Sequence, residues 1–206
     1  DLPLARKAMI VHAYSLAMGN AKRYVEAQQL CRAALQTIEQ VYGKGDPRTV
    51  SGMISWGVSL RNLKRYRESA VVMEDVLGVL RKHLPADHRR VADALVNAGA
   101  SQTLAGDPER AVGYLEESLA ICERRKETGG RTAAPATVAL AKALEDQGDY
   151  ARALEQSTRA LPFTEGADAH FPGAAAAGPR LQHARLLLRS GGTLTGCAAF
   201  PDVLAI

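Results

Sequence analysis

The sequence has few of the residues that build disulfide-stapled, metal-bound or membrane-spanning folds. Its three cysteines, Cys31, Cys122 and Cys197, are odd in number and far apart, without a Cys-x-x-Cys or Cys/His ligand spacing. This usage indicates neither a disulfide framework nor a zinc site, and it favours a reducing compartment. No apolar run reaches the roughly 18 residues of a membrane span, and no signal peptide opens the chain. We therefore predict a cytoplasmic protein that has no membrane partner.

Motifs of catalysis are missing as well. His83 and His88 flank a proline-containing loop at a spacing that is not a ligand pattern, and His12 and His183 stand alone on predicted helices. The segment 43–46, Gly-Lys-Gly-Asp, lacks the strand and the downstream Lys-Ser/Thr pair of a phosphate-binding loop. We predict that the chain is not an enzyme and that it holds no metal and no cofactor.

Aromatic residues make up only 5% of the chain, and alanine, leucine and valine supply most of the apolar content. This content recurs with a fixed period of 42 residues, which a tyrosine or proline marks at Tyr24, Tyr66, Pro108 and Tyr150. Eleven residues after each marker stands a leucine, at Leu35, Leu77, Leu119 and Leu161. Four copies in one register without an insertion predict a solenoid of stacked units.

Each unit has the pattern of two helices. The first unit predicts helices over about 4–19 and from Tyr24, and the second of these ends at the glycines of segment 43–45. Asp46-Pro47 and Asp107-Pro108 each place a capping carboxylate before a proline at the first helical position. We expect Gly129-Gly130 to end the third unit and Pro162 to end the fourth.

Small residues at one repeat position indicate where the two helices of a unit meet. Gly57 and Gly99 share this register with Ser15 and Ala141, although glycine inside a helix costs about 1 kcal/mol relative to alanine. Twelve residues later the partner helix again has small residues, at Ala27, Ser69, Ala111 and Ala153. We infer that another backbone approaches the glycines too closely for a side chain. We also expect Leu77 and Leu119 to be fully buried.

These features carry a resemblance to a known family. The pairs of small residues, and segments such as Tyr66–Ala70 and Gly148–Ala153, resemble the tetratricopeptide repeat, and the 42-residue unit is similar to the kinesin light chain subgroup. HEAT and armadillo arrays share the period, but the small pairs favour tetratricopeptides. The resemblance implies an all-α, right-handed α-α superhelix. It disfavours pentatricopeptide RNA readers, so we expect no nucleic-acid partner.

The resemblance spans residues 3–162, which we divide into four repeats at about 3–45, 46–86, 87–130 and 131–162. Residues 163–178 are rich in glycine and alanine and are expected to form a linker. Residues 179–191 predict either a capping helix or the degenerate first helix of a fifth repeat, docked through Leu181, Ala184 and Leu188. Residues 192–206 are expected to be an irregular tail.

Tetratricopeptide arrays expose one face of each first helix along a concave groove, and the resemblance implies a peptide channel there. The positions on this face are His12, Leu16, Ile54, Ser55, Val58, Arg61, Asn62, Val96, Asn97, Ala100, Thr103, Val138 and Lys142. An alternative is that Ile54 and Val96 only pack against the next unit. A carboxylate clamp of the kind found in chaperone-binding members is not expected, because only Asn97 matches its pattern.

We therefore predict a non-catalytic interaction module or scaffold that captures a protein or peptide in a preformed groove. The resemblance to kinesin light chains implies a cargo-adaptor role. The alternative is a regulatory array of a larger enzyme or nucleotide-switched regulator, and a start at Asp1 rather than methionine is expected of a fragment. The sequence leaves the partner and the oligomeric state open.

Overall fold

A computed structural model describes residues 23–127, 131–164 and 177–189. These residues form eight α-helices and two 3₁₀ turns, at Pro47–Thr49 and Leu161–Thr164, and no strand occurs among them. The helices are α1 (Tyr24–Tyr42), α2 (Val50–Asn62), α3 (Tyr66–His83), α4 (Arg89–Ala105), α5 (Pro108–Arg124), α6 (Ala133–Gln147), α7 (Tyr150–Ala160) and α8 (Ala177–Arg189). The helix expected over 4–19, with His12 and Leu16, lies outside the described residues, as do Gly129-Gly130 and the tail 192–206.

Each helix packs on the next helix in the chain, and α4 also packs on α6. This arrangement of antiparallel helix pairs stacked in one direction is that of an α-α solenoid, and it confirms the all-α fold class. One core cluster joins α2, α3, α4 and α5, and a second joins α5, α6, α7 and α8. The core is therefore continuous along the array.

The turn residues act as the sequence predicts. Gly106 and Gly148 have positive φ angles of 89° and 87° at the ends of α4 and α6. The Asp107 and Asp149 side chains then accept hydrogen bonds from the N–H groups of Arg110 and Arg152. Asp46 opens the second pair in the same way, through the side chain and backbone N–H of Arg48, and these bonds lower the pKa of Asp46 to about 2.

The contact inside a helix pair lies at the predicted small residues. The Ser69 Oγ donates a hydrogen bond of 2.8 Å to the Gly57 carbonyl, twelve residues back. The cause that we assigned to the glycines is wrong, however. A Cβ on Gly57 would lie 2.6 Å from Met73 Cε, and one on Gly99 would lie 2.5 Å from Leu115 Cγ. The groups that exclude a Cβ are thus large apolar side chains of the partner helix, sixteen residues on, rather than a backbone.

Two burial predictions need correction. Leu77 is buried, with 2% of its surface exposed, but Leu119 is only half-buried. Leu119 borders a cavity of about 180 Å³ that Phe163 and Arg159 also line, so its packing is incomplete.

The second correction concerns α8. Leu181 and Leu188 do not dock, because 44% and 57% of their surfaces are exposed. Ala184 is buried as expected, and Leu186, Gln182 and His183 are buried with it.

Polar partners explain the orientation of α8. His183 Nδ1 and Ser157 Oγ are 2.7 Å apart, and Arg185 forms an ion pair with the buried Glu145 at 2.6 Å. These contacts turn the Leu181 and Leu188 side of α8 outward. Burial lowers the pKa of His183, because a charged imidazole would lose its hydration in this interface.

Candidate functional site

The first helices α2, α4 and α6 carry the positions that we assigned to the groove, and we call their shared face the inner face. Ile54 and Val58 on α2 are half-buried and pack against the core cluster that α4 shares with α3. Val96 on α4 is half-buried against the second cluster, and Ala100 is also half-buried. Each apolar side chain thus gives part of its surface to the next unit, which leaves a shallow apolar strip exposed.

The polar residues of the inner face differ in how far their own helices satisfy them. Asn97 Nδ2 donates to the Asp93 carbonyl at 3.1 Å, and Thr103 Oγ1 donates to the Gly99 carbonyl at 3.0 Å. Asn62 is exposed and has no side-chain partner among the described residues, and Ser55 is half-buried. The amide oxygen of Asn97 and both groups of the Asn62 amide are therefore available to an external backbone.

Arg61 is the least satisfied charged group on this face. It is half-buried near the end of α2, and its Nη1 atom is buried without a hydrogen-bond partner in the described part of the chain. Burial lowers the pKa of Arg61, because the guanidinium has lost water without gaining a carboxylate. An acceptor from outside the array can reach only the exposed part of the guanidinium, where hydrogen bonds to charged groups contribute about 1.5–3 kcal/mol.

The helix α6, the last of these three helices, presents a different surface. Val138 and Lys142 on α6 border a cleft of about 360 Å³, whose other side is formed by α8. Lys142 forms an ion pair with Asp146 on its own helix. The positive charge of Lys142 is therefore already neutralised in part, and Arg61 is the stronger candidate for an anionic group.

The outer side of the array holds a polar cluster that the sequence analysis missed. Glu74 on α3 accepts hydrogen bonds from Gln102 at 2.8 Å and from Tyr114 at 3.1 Å, and it pairs with Arg110 at 2.8 Å. Burial and then the bond to Glu74 raise the pKa of Tyr114. These partners are 28 to 40 residues away in sequence. Arg110 and Tyr114 lie on the next second helix, which the 42-residue register could have indicated, whereas Gln102 lies on the first helix α4.

In the residues that the structure describes, no group of three His, Cys, Asp or Glu side chains is arranged to hold a metal ion. None of the described helices is long and apolar enough to cross a membrane. What the arrangement offers is a row of first helices with half-exposed apolar side chains, open amides and the half-buried guanidinium of Arg61. These groups can hold an extended or helical chain without forming or breaking a covalent bond.

Such an array of helix pairs defines the class of protein-interaction repeat scaffolds. Two family models, each described as tetratricopeptide repeat, match residues 15–48 and 90–165, and together they match more than half of the chain. The chain belongs to the tetratricopeptide repeat family, and its fold is of the kinesin light chain-like kind. No curated protein matches it by sequence.

Several solved structures share the fold at low sequence identity. A Podosopora anserina protein named as a kinesin light chain, with nearly identical repeats, has a TM-score of 0.78 at 14% identity, over 99% of this chain and 96% of that one. BtubC (BKLC) from P. vanneervenii has a TM-score of 0.78 at 17% identity, over 98% and 80%. A Rap protein complexed with competence and sporulation factor has a TM-score of 0.68 at 19% identity, over 100% of this chain but 52% of that one.

Proposed function

We propose that the chain captures a peptide segment of a partner protein on its inner face and acts as a non-catalytic scaffold. The segment lies along α2 and α4, with a hydrophobic anchor on the strip formed by Ile54, Val58 and Val96. The amides of Asn62 and Asn97 bind its backbone. An acidic residue beside the anchor pairs with Arg61.

The main support for this proposal is the half-buried guanidinium of Arg61, which forms no ion pair with a described residue. A buried guanidinium nitrogen without a partner is costly, because the group has lost its hydration and gained nothing in return. Arg61 follows Val58 by three residues on the same helix, so a peptide carboxylate that reaches the exposed part of its guanidinium would lie beside the apolar strip and be partly screened from water. The ion pair would then contribute more than the about 0–1 kcal/mol of a fully exposed pair.

The similar folds support capture of a partner as the function. The Rap structure is of a complex with competence and sporulation factor, and a kinesin light chain-like array is consistent with a cargo-adaptor role. For this chain we propose a cargo-adaptor role, in which the ligand is a segment of a larger partner protein.

A peptide-display selection against the full chain tests the proposal. We expect the enriched peptides to combine an aliphatic or aromatic anchor with a neighbouring acidic residue. Val58→Glu should abolish their binding, and Asn97→Ala and Arg61→Gln should each weaken it. The matched control is Val71→Glu, which makes the same change at a residue on α3 that is 58% exposed.

Circular dichroism must show that all four variants remain folded. Peptides that bind Val58→Glu and Arg61→Gln as well as the unchanged chain, but lose binding to Val71→Glu, would place the working surface on the outer side and contradict the proposal.

A further inference from the structure

Ion pairs in two rows join the second helices α3, α5 and α7 across the outer side of the array. In the first row Arg110 binds Glu74 and Arg152 binds Glu116. The second row consists of Arg81 with Glu117 at 2.6 Å, and Arg159 with Glu123 at 3.8 Å. Every pair joins residues 36 apart, so the 42-residue period places each row at the same level in both junctions.

The junction between α1 and α3 breaks this rule. Shifted back by 42 residues, the first row contains Arg32 and Glu68, which are still opposite in charge. The second row contains Glu39 and Asp75, which are both acidic. Neither carboxylate has an ion pair or a side-chain hydrogen bond with any described residue. This junction therefore has two acids at the level where the other junctions have an arginine and an acid.

A groove of about 610 Å³ opens at this place, and we call it the outer groove. Its floor includes Met53 and Trp56 from α2, and Val79 from α3 lines its wall. Glu39 and Asp75 line it from the two sides, with Glu39 half-buried and Asp75 exposed. Arg32 and Glu74 line the groove as well, and Glu74 is already paired with Arg110. The groove therefore combines apolar side chains with two carboxylates that form no ion pair with a described residue.

Two replacements between repeats contribute to the open volume, although Trp56 stands where the next repeat has the smaller Ala98. At the junction of α3 and α5, Tyr114 reaches Glu74, whereas the equivalent residue at the junction of α1 and α3 is Val72. Gly78 stands where the next repeat has Ala120, and a Cβ on Gly78 would meet no atom within 4 Å. The smaller side chains leave free the space that a tyrosine fills one repeat later.

We propose that the outer groove binds an arginine side chain of a partner protein. The guanidinium lies between Glu39 and Asp75, at the level that Arg81 and Arg159 occupy in the other junctions. Its aliphatic stem lies on the floor at Trp56. Arginine fits better than lysine, because its planar group can donate to two carboxylates at once and can stack on an indole ring.

The charges at the end of the groove narrow the ligand further. Lys44 and Lys82 line it beyond the two carboxylates, towards the C-terminal ends of α1 and α3. A run of basic residues would meet repulsion there, whereas an acidic residue next to the arginine would be attracted. The outer groove is separate from the inner face, so the proposal does not depend on peptide capture by α2 and α4.

A titration of the ¹⁵N-labelled full chain with N-acetyl-arginine amide tests the proposal. The indole N–H of Trp56, the single tryptophan of the chain, and the amide of Gly78 report on the outer groove by NMR. Both signals should shift saturably. N-acetyl-citrulline amide, which has nearly the same shape without the charge, should shift them much less.

Three groove variants and one control complete the test. Glu39→Gln and Asp75→Asn should each weaken binding by roughly two- to fivefold, as expected for one partly exposed ion pair. Asp75→Arg should abolish the saturable shift while keeping or raising the melting temperature, because it recreates the pairing of the other junctions. Glu155→Gln, which removes an exposed carboxylate on α7, should leave binding unchanged.

The proposal is overturned by any of three results. These are the absence of a saturable shift in the unchanged chain, equal shifts from arginine and citrulline amides, or an equal loss of binding in Glu155→Gln and Asp75→Asn.

Discussion

Glycines inside the helices of this array have two opposite roles. A Cβ on Gly99 would lie 2.5 Å from Leu115 Cγ, and Leu115 is fully buried. A Cβ on Gly113 would meet no atom within 4 Å. The first glycine is required by the packing of α4 on α5, whereas the second only lowers the helical propensity of α5.

Alanine at these two positions should therefore have opposite effects on stability. Gly99→Ala forces Leu115 to move within a packed core, and we expect a loss of about 1–3 kcal/mol. Gly113→Ala should raise stability by up to about 1 kcal/mol, because alanine is the better helix former. Thermal unfolding followed by circular dichroism measures both changes. A Gly99→Ala variant as stable as Gly113→Ala would show that α4 and α5 are not in close contact at Gly99.

Replacing the leucines of the 42-residue period by alanine should lower the stability by different amounts. Leu77 is buried, and Leu77→Ala should cost about 2–5 kcal/mol because it leaves a cavity. Leu119→Ala should cost clearly less, since Leu119 is half-buried beside an existing cavity. Chemical denaturation of both variants gives the comparison. Equal losses would mean that Leu119 is packed as tightly as its repeat equivalent.

At the scale of the element, α8 docks through polar groups rather than through a leucine stripe. His183 occupies the repeat position of Gly57, Gly99 and Ala141, and it meets Ser157 instead of a large apolar side chain. Glu145, with 6% of its surface exposed, holds Arg185 from the neighbouring helix. Docking of α8 should therefore respond to pH in a way that the apolar junctions do not.

Acidification should loosen α8. The docked state lowers the pKa of His183, so the imidazole stays neutral when docked but gains a proton at its ordinary pKa of about 6.5 when released. The stabilising contribution is thus complete above pH 6.5 and declines as the pH falls from there towards the lower pKa of the docked state. Hydrogen exchange of the α8 amides at pH 7.5 and 5.5, corrected for the intrinsic rates, measures the change.

A pair of histidine variants controls this experiment. His183→Gln should remove most of the pH dependence of α8 exchange. His83→Gln, at an exposed histidine near the end of α3, should retain it. Exchange protection of α8 that is the same at both pH values in the unchanged chain would contradict the role given to His183.

The helices can largely be predicted from the sequence, because the capping residues and the 42-residue period indicate the same helix limits. The helix α3 begins at Tyr66, one of the markers of the 42-residue period, and Asp107 and Asp149 cap the helices that follow them. The face of α8 is not readable in this way. Its leucine stripe gives the wrong orientation, since partners on other helices determine where His183 and Arg185 lie.

At the scale of the whole molecule, the period predicts the stacking but not the surfaces. One register places every second helix beside the next, and the same register relates the ion pairs of α3, α5 and α7 to Glu39 and Asp75. A groove opens where a single residue differs between repeats, such as Val72 at the repeat position of Tyr114. Those replacements do not disturb the repeat pattern, so the pattern alone does not reveal the outer groove or the missing partner of Arg61.

The most direct test of the account is hydrogen exchange of the full chain with and without a peptide enriched in the display selection. Capture on the inner face predicts slower exchange in α2 and α4, and this protection should disappear in Val58→Glu but persist in Val71→Glu. Protection confined to α3 and α5, with α2 and α4 unchanged, would contradict the claim that the inner face holds the partner.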